Sequence, residues 1–201
     1  IREIPIMMTF EKLREDLPLT GNVAYFQVGS HGPTPGSVLE VVHNEMVLQS
    51  HYHSVPSVKS AQANREEIAR NRLASFMGVD IDGVALTANT TQAMRQVARS
   101  ITWEKGDEFV ISSMEHVSTV SLGIGLSTQK GVKLEVVQAD QGDAVFLENL
   151  KSTLTARTKL VCVSQVASPD GRVLPIDDVC VLARQLGIPV VVDAAQSLGQ
   201  I

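Results

Sequence analysis

Aromatic side chains make up only 4% of the 201 residues, with a single Trp and two Tyr. A core here has to rest on Val, Leu, Ile, Ala and Met, and 44% hydrophobic content is enough for one domain-sized core. Basic residues are not in excess either. Seventeen Lys and Arg against 22 Asp and Glu give a formal charge of -5, which leaves no basic footprint for nucleic acid. Arg65, Arg70 and Arg72 stand at helical spacing among acids and read as a solvated helix face. No apolar run approaches the roughly 20 residues that span a bilayer, so a membrane reading fails. Ile1 to Phe10 carries no secretory cleavage pattern. The two cysteines, Cys162 and Cys180, lie inside apolar segments and are expected to be buried core thiols in a reducing, cytoplasmic compartment. There is no internal repeat, low-complexity tract or long linker.

What is present is an alternation of short apolar runs and helical stretches from Phe76 onward. Strands are expected at Val84–Thr87, Glu108–Ser112, Val132–Gln138, Lys159–Val163 and Pro189–Asp193. Helices are expected between them, over Thr91–Ser100, Val117–Gln129, Ala144–Leu154 and Ile176–Leu186. Near-continuous apolar strands separated by helices predict an α/β fold, a mostly parallel sheet with helices on both faces. In such a sheet ligands bind beyond the carboxyl ends of the strands. Upstream, Pro33-Thr34-Pro35 opens an amphipathic helix over Gly36–Gln49, and His51–Ser57 reads as a polar, irregular stretch. A long helix over Lys59–Met77, with Ile68, Leu73 and Phe76 among its apolar contacts, is closed by Gly78. The expected organisation is an N-terminal arm and active-site segment (1–58) followed by one α/β domain (59–201).

Three segments at strand ends carry chemistry. Asn89-Thr90-Thr91-Gln92-Ala93 opens a helix, where free backbone N–H groups, the helix dipole and two hydroxyls favour a phosphate. Plain N-capping by Asn or Thr would also explain it. Ile111-Ser112-Ser113-Met114-Glu115-His116 runs from a strand into a helix, and His116 is placed either to lie against a planar cofactor or to cap the helix. Val190-Val191-Val192-Asp193-Ala194-Ala195-Gln196-Ser197 ends an all-apolar strand in a carboxylate. A buried anion needs a partner, and a protonated pyridine nitrogen is one. A metal or a helix cap are the alternatives for Asp193, but no second carboxylate or His at ligand spacing accompanies it, so no metal is expected. His51-Tyr52-His53 likewise lacks an evident third ligand. A nucleotide-binding Rossmann turn needs glycines that Thr87–Ala93 lacks.

Taken in order and spacing, these segments resemble the class V aminotransferase family, which includes cysteine desulfurases, selenocysteine lyases and isopenicillin N epimerase-like enzymes. The resemblance runs from about Tyr25 to Gln200. It includes Tyr25-Phe26-Gln27-Val28-Gly29-Ser30-His31-Gly32, similar to the family's N-terminal active-site segment, and Arg72-Leu73-Ala74-Ser75-Phe76-Met77-Gly78-Val79, similar to the helix before its first large-domain strand. It implies pyridoxal 5'-phosphate (PLP) as cofactor and the incomplete large domain of an aminotransferase-like fold. Thr90 and Thr91 match the phosphate-binding pair, His116 the histidine stacked on the pyridine ring, Asp193 the carboxylate on the pyridine nitrogen, and Gln196 the residue near the ring hydroxyl. Ser168, in Gln165-Val166-Ala167-Ser168-Pro169-Asp170-Gly171, falls where cysteine desulfurases commonly have Asn, and this form looks closer to the epimerase-like and lyase branches. Ser30 and His31 are implied as substrate contacts.

In the family, the Schiff-base lysine follows the Asp-x-x-Gln segment. None of the seven lysines here follows Asp193, so no catalytic residue is expected within the chain. The expected function is therefore the N-terminal portion of a PLP-dependent enzyme acting on an amino acid, of C–S lyase, desulfurase, epimerase or aminotransferase type. It would be completed by a C-terminal segment or by another chain, as a homo-oligomer or a split heteromer. The alternative is a non-catalytic cofactor-fold module that binds a partner.

Overall fold

The computed structural model describes residues 9–29 and 31–201. The chain divides into two compact units, one ending at Leu86 and the other spanning Thr87–Ile201.

The first unit is helical: α1 (Phe10–Glu15), α2 (Gly36–Tyr52) and α3 (Pro56–Met77), with a 3-10 turn at Ile81–Gly83. Asp16 joins α1 to α2 by accepting from the Ser37 hydroxyl (2.6 Å) and backbone N–H (2.8 Å). The α2 helix continues through Tyr52, so the irregular stretch expected over His51–Ser57 shrinks to the break before Pro56. That proline stands in the first turn of α3, where its missing N–H has no helical partner to lose. Gly78 ends α3 in the left-handed conformation (φ 67°), which costs glycine no Cβ clash.

Burial in this unit departs from the pattern reading. No residue of α2 is buried, and Ala74 is the one buried residue of α3, while Ile68 and Phe76 are exposed. Arg70 is not on a solvated face. Its guanidinium is half-buried and donates to the carbonyls of Val84 (2.9 Å) and Ile81 (2.8 Å). The strand expected over Val84–Thr87 does not form: the backbone there pairs with no strand among the described residues, and the Val84 carbonyl is occupied by Arg70.

The second unit alternates α4 (Thr90–Ser100), β1 (Glu108–Ser112), α5 (Val117–Lys130), β2 (Lys133–Val137), α6 (Asp143–Thr153), β3 (Thr158–Ser164), α7 (Ile176–Gln185) and β4 (Val190–Asp193). The strands form one parallel sheet in the order β2-β1-β3-β4. Successive side chains alternate between its faces. Phe109, Ile111, Leu160 and Cys162 pack with Met94 of α4, Val132, and the half-buried Val120 and Leu126 of α5. Val110, Val161 and Val163 pack on the opposite face with Phe146 and Leu150 of α6 and Val179 and Ala183 of α7. Both faces are therefore covered, which is why every residue of β1 is buried and the strand reads as one apolar run. The Trp103 indole N–H, donating to the Ala98 carbonyl (2.8 Å), holds the end of α4 beside β1.

Two tethers lie at the amino rim of the sheet. The Arg157 guanidinium donates to the carbonyls of Gly106 (2.6 Å) and Lys105 (2.9 Å) and pairs with Asp107 (3.3 Å). The Glu108 carboxylate accepts from the hydroxyls of Thr155 (2.5 Å) and Thr158 (3.0 Å). Cys162 is buried as expected. Cys180, on α7, is only half-buried, and both thiols are free.

Candidate functional site

The connection from β1 to β2 runs to one side of the sheet, and the next two strands are added on the other. The strand order thus reverses between β1 and β3, which opens a crevice beyond their carboxyl ends. Three strands end there in polar residues after apolar runs: Ser112, Ser164 and Asp193. Ser164 and Asp193 are register partners across β3 and β4. All three are buried.

Glu115 bridges the ends of β1 and β3. Its carboxylate accepts from the Ser112 hydroxyl (2.5 Å) on β1 and from both the backbone N–H (2.8 Å) and the hydroxyl (2.7 Å) of Ser164 on β3. The Ser112 oxygen also accepts from the Met114 N–H (3.2 Å), so its proton is directed at Glu115. Burial pushes the Glu115 carboxyl above its ordinary value. The three donors work against that, and the negative charge of Asp193 adds to it. Burial likewise pushes the Cys162 thiol far up, with the charges of Glu115 and Asp193 adding to the effect, so this cysteine is no nucleophile.

Asp193 stands at the end of β4 with 7% exposure, and its carboxylate accepts from the Ala195 N–H (2.9 Å). Among the described residues, no ion pair involves either Asp193 or Glu115. Gln196, in the turn that follows β4, is half-buried.

His116 directly follows Glu115 and caps α5. Its Nδ1 accepts from the Ser118 N–H (3.2 Å) and lies 2.8 Å from the Ser118 hydroxyl, while the residue itself is exposed at the rim. One turn into α5, Thr119 contacts the Met94 sulfur of α4 (3.9 Å). That contact sets α4 beside α5. Asn89 caps α4 by accepting from the Gln92 N–H (2.9 Å), and the Gln92 side chain accepts from the Ala88 N–H (2.9 Å). The cap thus belongs to Asn89, and the N–H groups of Thr90 and Thr91 have no partner among the described residues. Capping and an anion site are therefore compatible at this helix start, since the capping role falls to Asn89 and leaves Thr90 and Thr91 out of it.

Ser168 lies exposed in a turn after β3, shaped by the Ala167 N–H donating to the Arg172 carbonyl (2.8 Å) and by Gly171 at φ 74°. Arg172 pairs with Asp170 (2.9 Å) and donates to the Ala139 carbonyl (2.9 Å), which ties this turn to the loop after β2. Of the remaining expected site residues, Ser30 lies outside the described residues. His31 is exposed in the first unit, its carbonyl accepting from the Tyr25 hydroxyl (2.6 Å). The His51 Nδ1 lies 2.9 Å from the Val47 carbonyl, which can only accept, and no metal-holding group of three or more His, Cys, Asp or Glu occurs among the described residues.

The family model for class-V aminotransferases matches residues 25–201. The chain belongs to the class-V aminotransferase family. A probable cysteine desulfurase of Methanothermobacter thermautotrophicus is 30% identical over 197 residues, covering 96% of this chain and 49% of that protein. A probable cysteine desulfurase of Pyrococcus abyssi is 29% identical, covering 94% of the chain and 48% of the relative. Among solved structures, C-DES with glycine covalently linked to its PLP cofactor superposes with a TM-score of 0.82 at 27% identity, over 94% of this chain and 51% of that one. The apo cysteine desulfurase of Thermococcus onnurineus gives 0.81 at 28%, over 97% and 50%. The chain spans about half the length of the curated relatives it matches. The cofactor of this class-V fold is PLP.

Among the described residues, the polar groups of this class-V chain fit that cofactor: a buried carboxylate that no cation pairs with for a pyridinium, and helix N–H groups without a partner, with two hydroxyls, for a phosphate. Sequence reasoning missed Glu115 and Ser164. The available signal was a lone polar residue closing each of three apolar strands, next to an acid that directly precedes the rim histidine.

Proposed function

We propose that this chain is the cofactor-binding half of a PLP-dependent enzyme acting on an amino acid, of the C–S lyase, desulfurase, epimerase or aminotransferase type. The observation that carries this reading is Asp193, a buried carboxylate at the carboxyl end of β4 that no cation pairs with among the described residues. PLP, when bound, supplies an electron sink for negative charge at the α carbon of an amino acid. In this reading Asp193 holds a proton at the pyridine nitrogen. The N–H groups of Thr90 and Thr91, their hydroxyls and the dipole of α4 bind the phosphate. The His116 ring covers one face of the cofactor, and its bonds to Ser118 fix the ring's orientation. Gln196 donates toward the ring hydroxyl, Ser168 contacts the cofactor from the turn after β3, and Ser30 and His31 meet the substrate.

The lysines support a division of labour with residues outside these 201. In the second unit, Lys105, Lys133 and Lys159 precede or open strands, and Lys130 and Lys151 lie in the last turns of helices that return to the amino rim. A strand of five residues is about 16 Å long at ~3.3 Å per residue, beyond the reach of a lysine side chain to the carboxyl rim. These five lysines thus lie away from the carboxyl rim, which supports assigning the Schiff-base lysine to residues outside these 201, whether downstream or on a second polypeptide. The apolar side chains exposed along α2, among them Val38, Val41 and Met46, support assembly with another copy or chain. The arm (1–58), the PLP-binding large domain (59–201) and a cytoplasmic location complete the proposal.

The test is Asp193→Ala in the full-length protein, with PLP affinity read by absorbance and fluorescence. Losing a charged hydrogen bond of about 1.5–3 kcal/mol weakens binding by roughly 10- to 150-fold. Unchanged affinity refutes the assignment. Borohydride reduction followed by mass spectrometry is expected to place pyridoxyl on none of the seven lysines present here.

A further inference from the structure

We infer that Glu115 is a positioning residue for the cofactor site, binding β1 to β3 at the switch point and acting on the ring-binding carboxylate Asp193 through its charge. The inference rests on the reading of Asp193 given above.

The geometry comes first. Glu115 is 8% exposed and receives all three of its hydrogen bonds from the ends of the two strands that flank the crevice. Ser164 is the pivot. Its N–H and hydroxyl hold Glu115, while its register partner on the next strand is Asp193. One residue further, the Gln165 N–H donates to the Asp193 carbonyl (3.0 Å). Glu115 is thus linked through Ser164 to the strand that pairs with Asp193, and it immediately precedes His116. A shift of Glu115 would move the rim histidine and the strand neighbour of Asp193 together.

The charge comes second. The groups facing Glu115 are the Ser112 and Ser164 hydroxyls, Cys162 and Asp193, and none of them is a cation. An anionic Glu115 deepens the negative potential at Asp193 and so strengthens its hold on a pyridinium. Its own burial is relieved when that positive charge arrives. A residue serving only to tie strands would need hydrogen-bonding atoms but not a charge, and Gln would serve equally. Gln can in fact keep the pattern: its carbonyl accepts from the Ser112 hydroxyl and the Ser164 N–H, and its amide donates to the Ser164 oxygen.

The experiment is a double-mutant cycle on PLP affinity in the full-length protein, using Glu115→Gln and Asp193→Asn. Glu115→Gln is expected to weaken PLP binding by about fivefold or more when Asp193 is present, and by less than about twofold in the Asp193→Asn background. An equal loss in both backgrounds, or no loss in either, overturns the inference. Wild-type affinity in Asp193→Asn alone overturns the reading of the site on which the inference rests, so the two failures are distinguishable. Should Glu115→Gln not fold, wild-type protein labelled with carboxyl-13C glutamate is examined by difference infrared spectroscopy on adding PLP. A glutamate carboxyl band that changes on binding, and is displaced in Ser164→Ala, supports the coupling. Absence of any glutamate change refutes it.

Discussion

Gly123, in the middle of α5, sets how closely that helix lies on β2, and its replacement by Ala is a demanding test of the packing. A Cβ at this position would stand 2.5 Å from Leu134 Cδ1, 3.0 Å from Cδ2 and 3.2 Å from Cγ. Carbon atoms in favourable contact sit about 3.5–4.0 Å apart, so the leucine or the helix has to move by roughly 1 Å. Overpacking of this kind costs about 1–3 kcal/mol. Against it stands the helix propensity of Ala, worth about 1 kcal/mol over Gly in a helix interior. Gly123→Ala is therefore expected to destabilise by up to about 2 kcal/mol, the difference between the two, and not to stabilise. Two controls isolate the cause. Gly125, two residues on, meets nothing within 4 Å, so Gly125→Ala is expected to stabilise by about 1 kcal/mol. In a Leu134→Ala background the obstacle is gone, and Gly123→Ala is expected to change sign and stabilise. Thermal unfolding followed by circular dichroism reads all four variants. If Gly123→Ala stabilises with Leu134 in place, the account of the α5–β2 contact is wrong.

Two further predictions concern the buried charges. Cys162 is expected to resist alkylation in the native protein, and Cys180 to be modified first, as read by peptide mapping after brief exposure to iodoacetamide; the reverse order would contradict the burial of β3. Because the folded Glu115 carboxyl is raised above its ordinary 4.5, the folded state holds that proton more tightly than the unfolded chain. Its stabilising share is complete below pH 4.5 and is lost as pH rises through the folded value. Glu115→Gln is expected to remove that component, flattening the acid side of a melting-temperature profile, and a profile unchanged in shape would refute it.

The second unit was legible in the sequence to within a residue or two because its strands are covered on both faces. Glu108–Ser112 and Val190–Asp193 are apolar runs whose only polar residues stand at their ends, and burial on two sides is what makes such runs. Asp193 stood out for the same reason, as a charge where the run stops. Glu115 did not, because an acid beside a histidine in a loop reads as solvated. Its burial depends on Ser164, which is 49 residues away. Val84–Thr87 failed for a related reason: an apolar run becomes a strand only beside another strand, and the Arg70 guanidinium takes the carbonyl instead. In the first unit the helix expected from Gly36 forms, but the apolar residues of α2 lie around it rather than on one face and several are exposed, so the amphipathic reading does not hold.

The two rims of the sheet are finished to different degrees. At the amino rim Asp107 has Arg157 and Glu108 has two threonine hydroxyls, so that end is complete without help. At the other, the buried carboxylates Glu115 and Asp193, linked through Ser164, repel one another. A ligand that brings positive charge there does more than occupy a cleft. It removes a repulsion already present in the folded protein, so its heat stabilisation should exceed what a neutral ring of the same shape gives, and the difference should vanish once Asp193 is neutral. On the proposed reading of the site, part of the stability of the folded chain is left for the ligand to contribute.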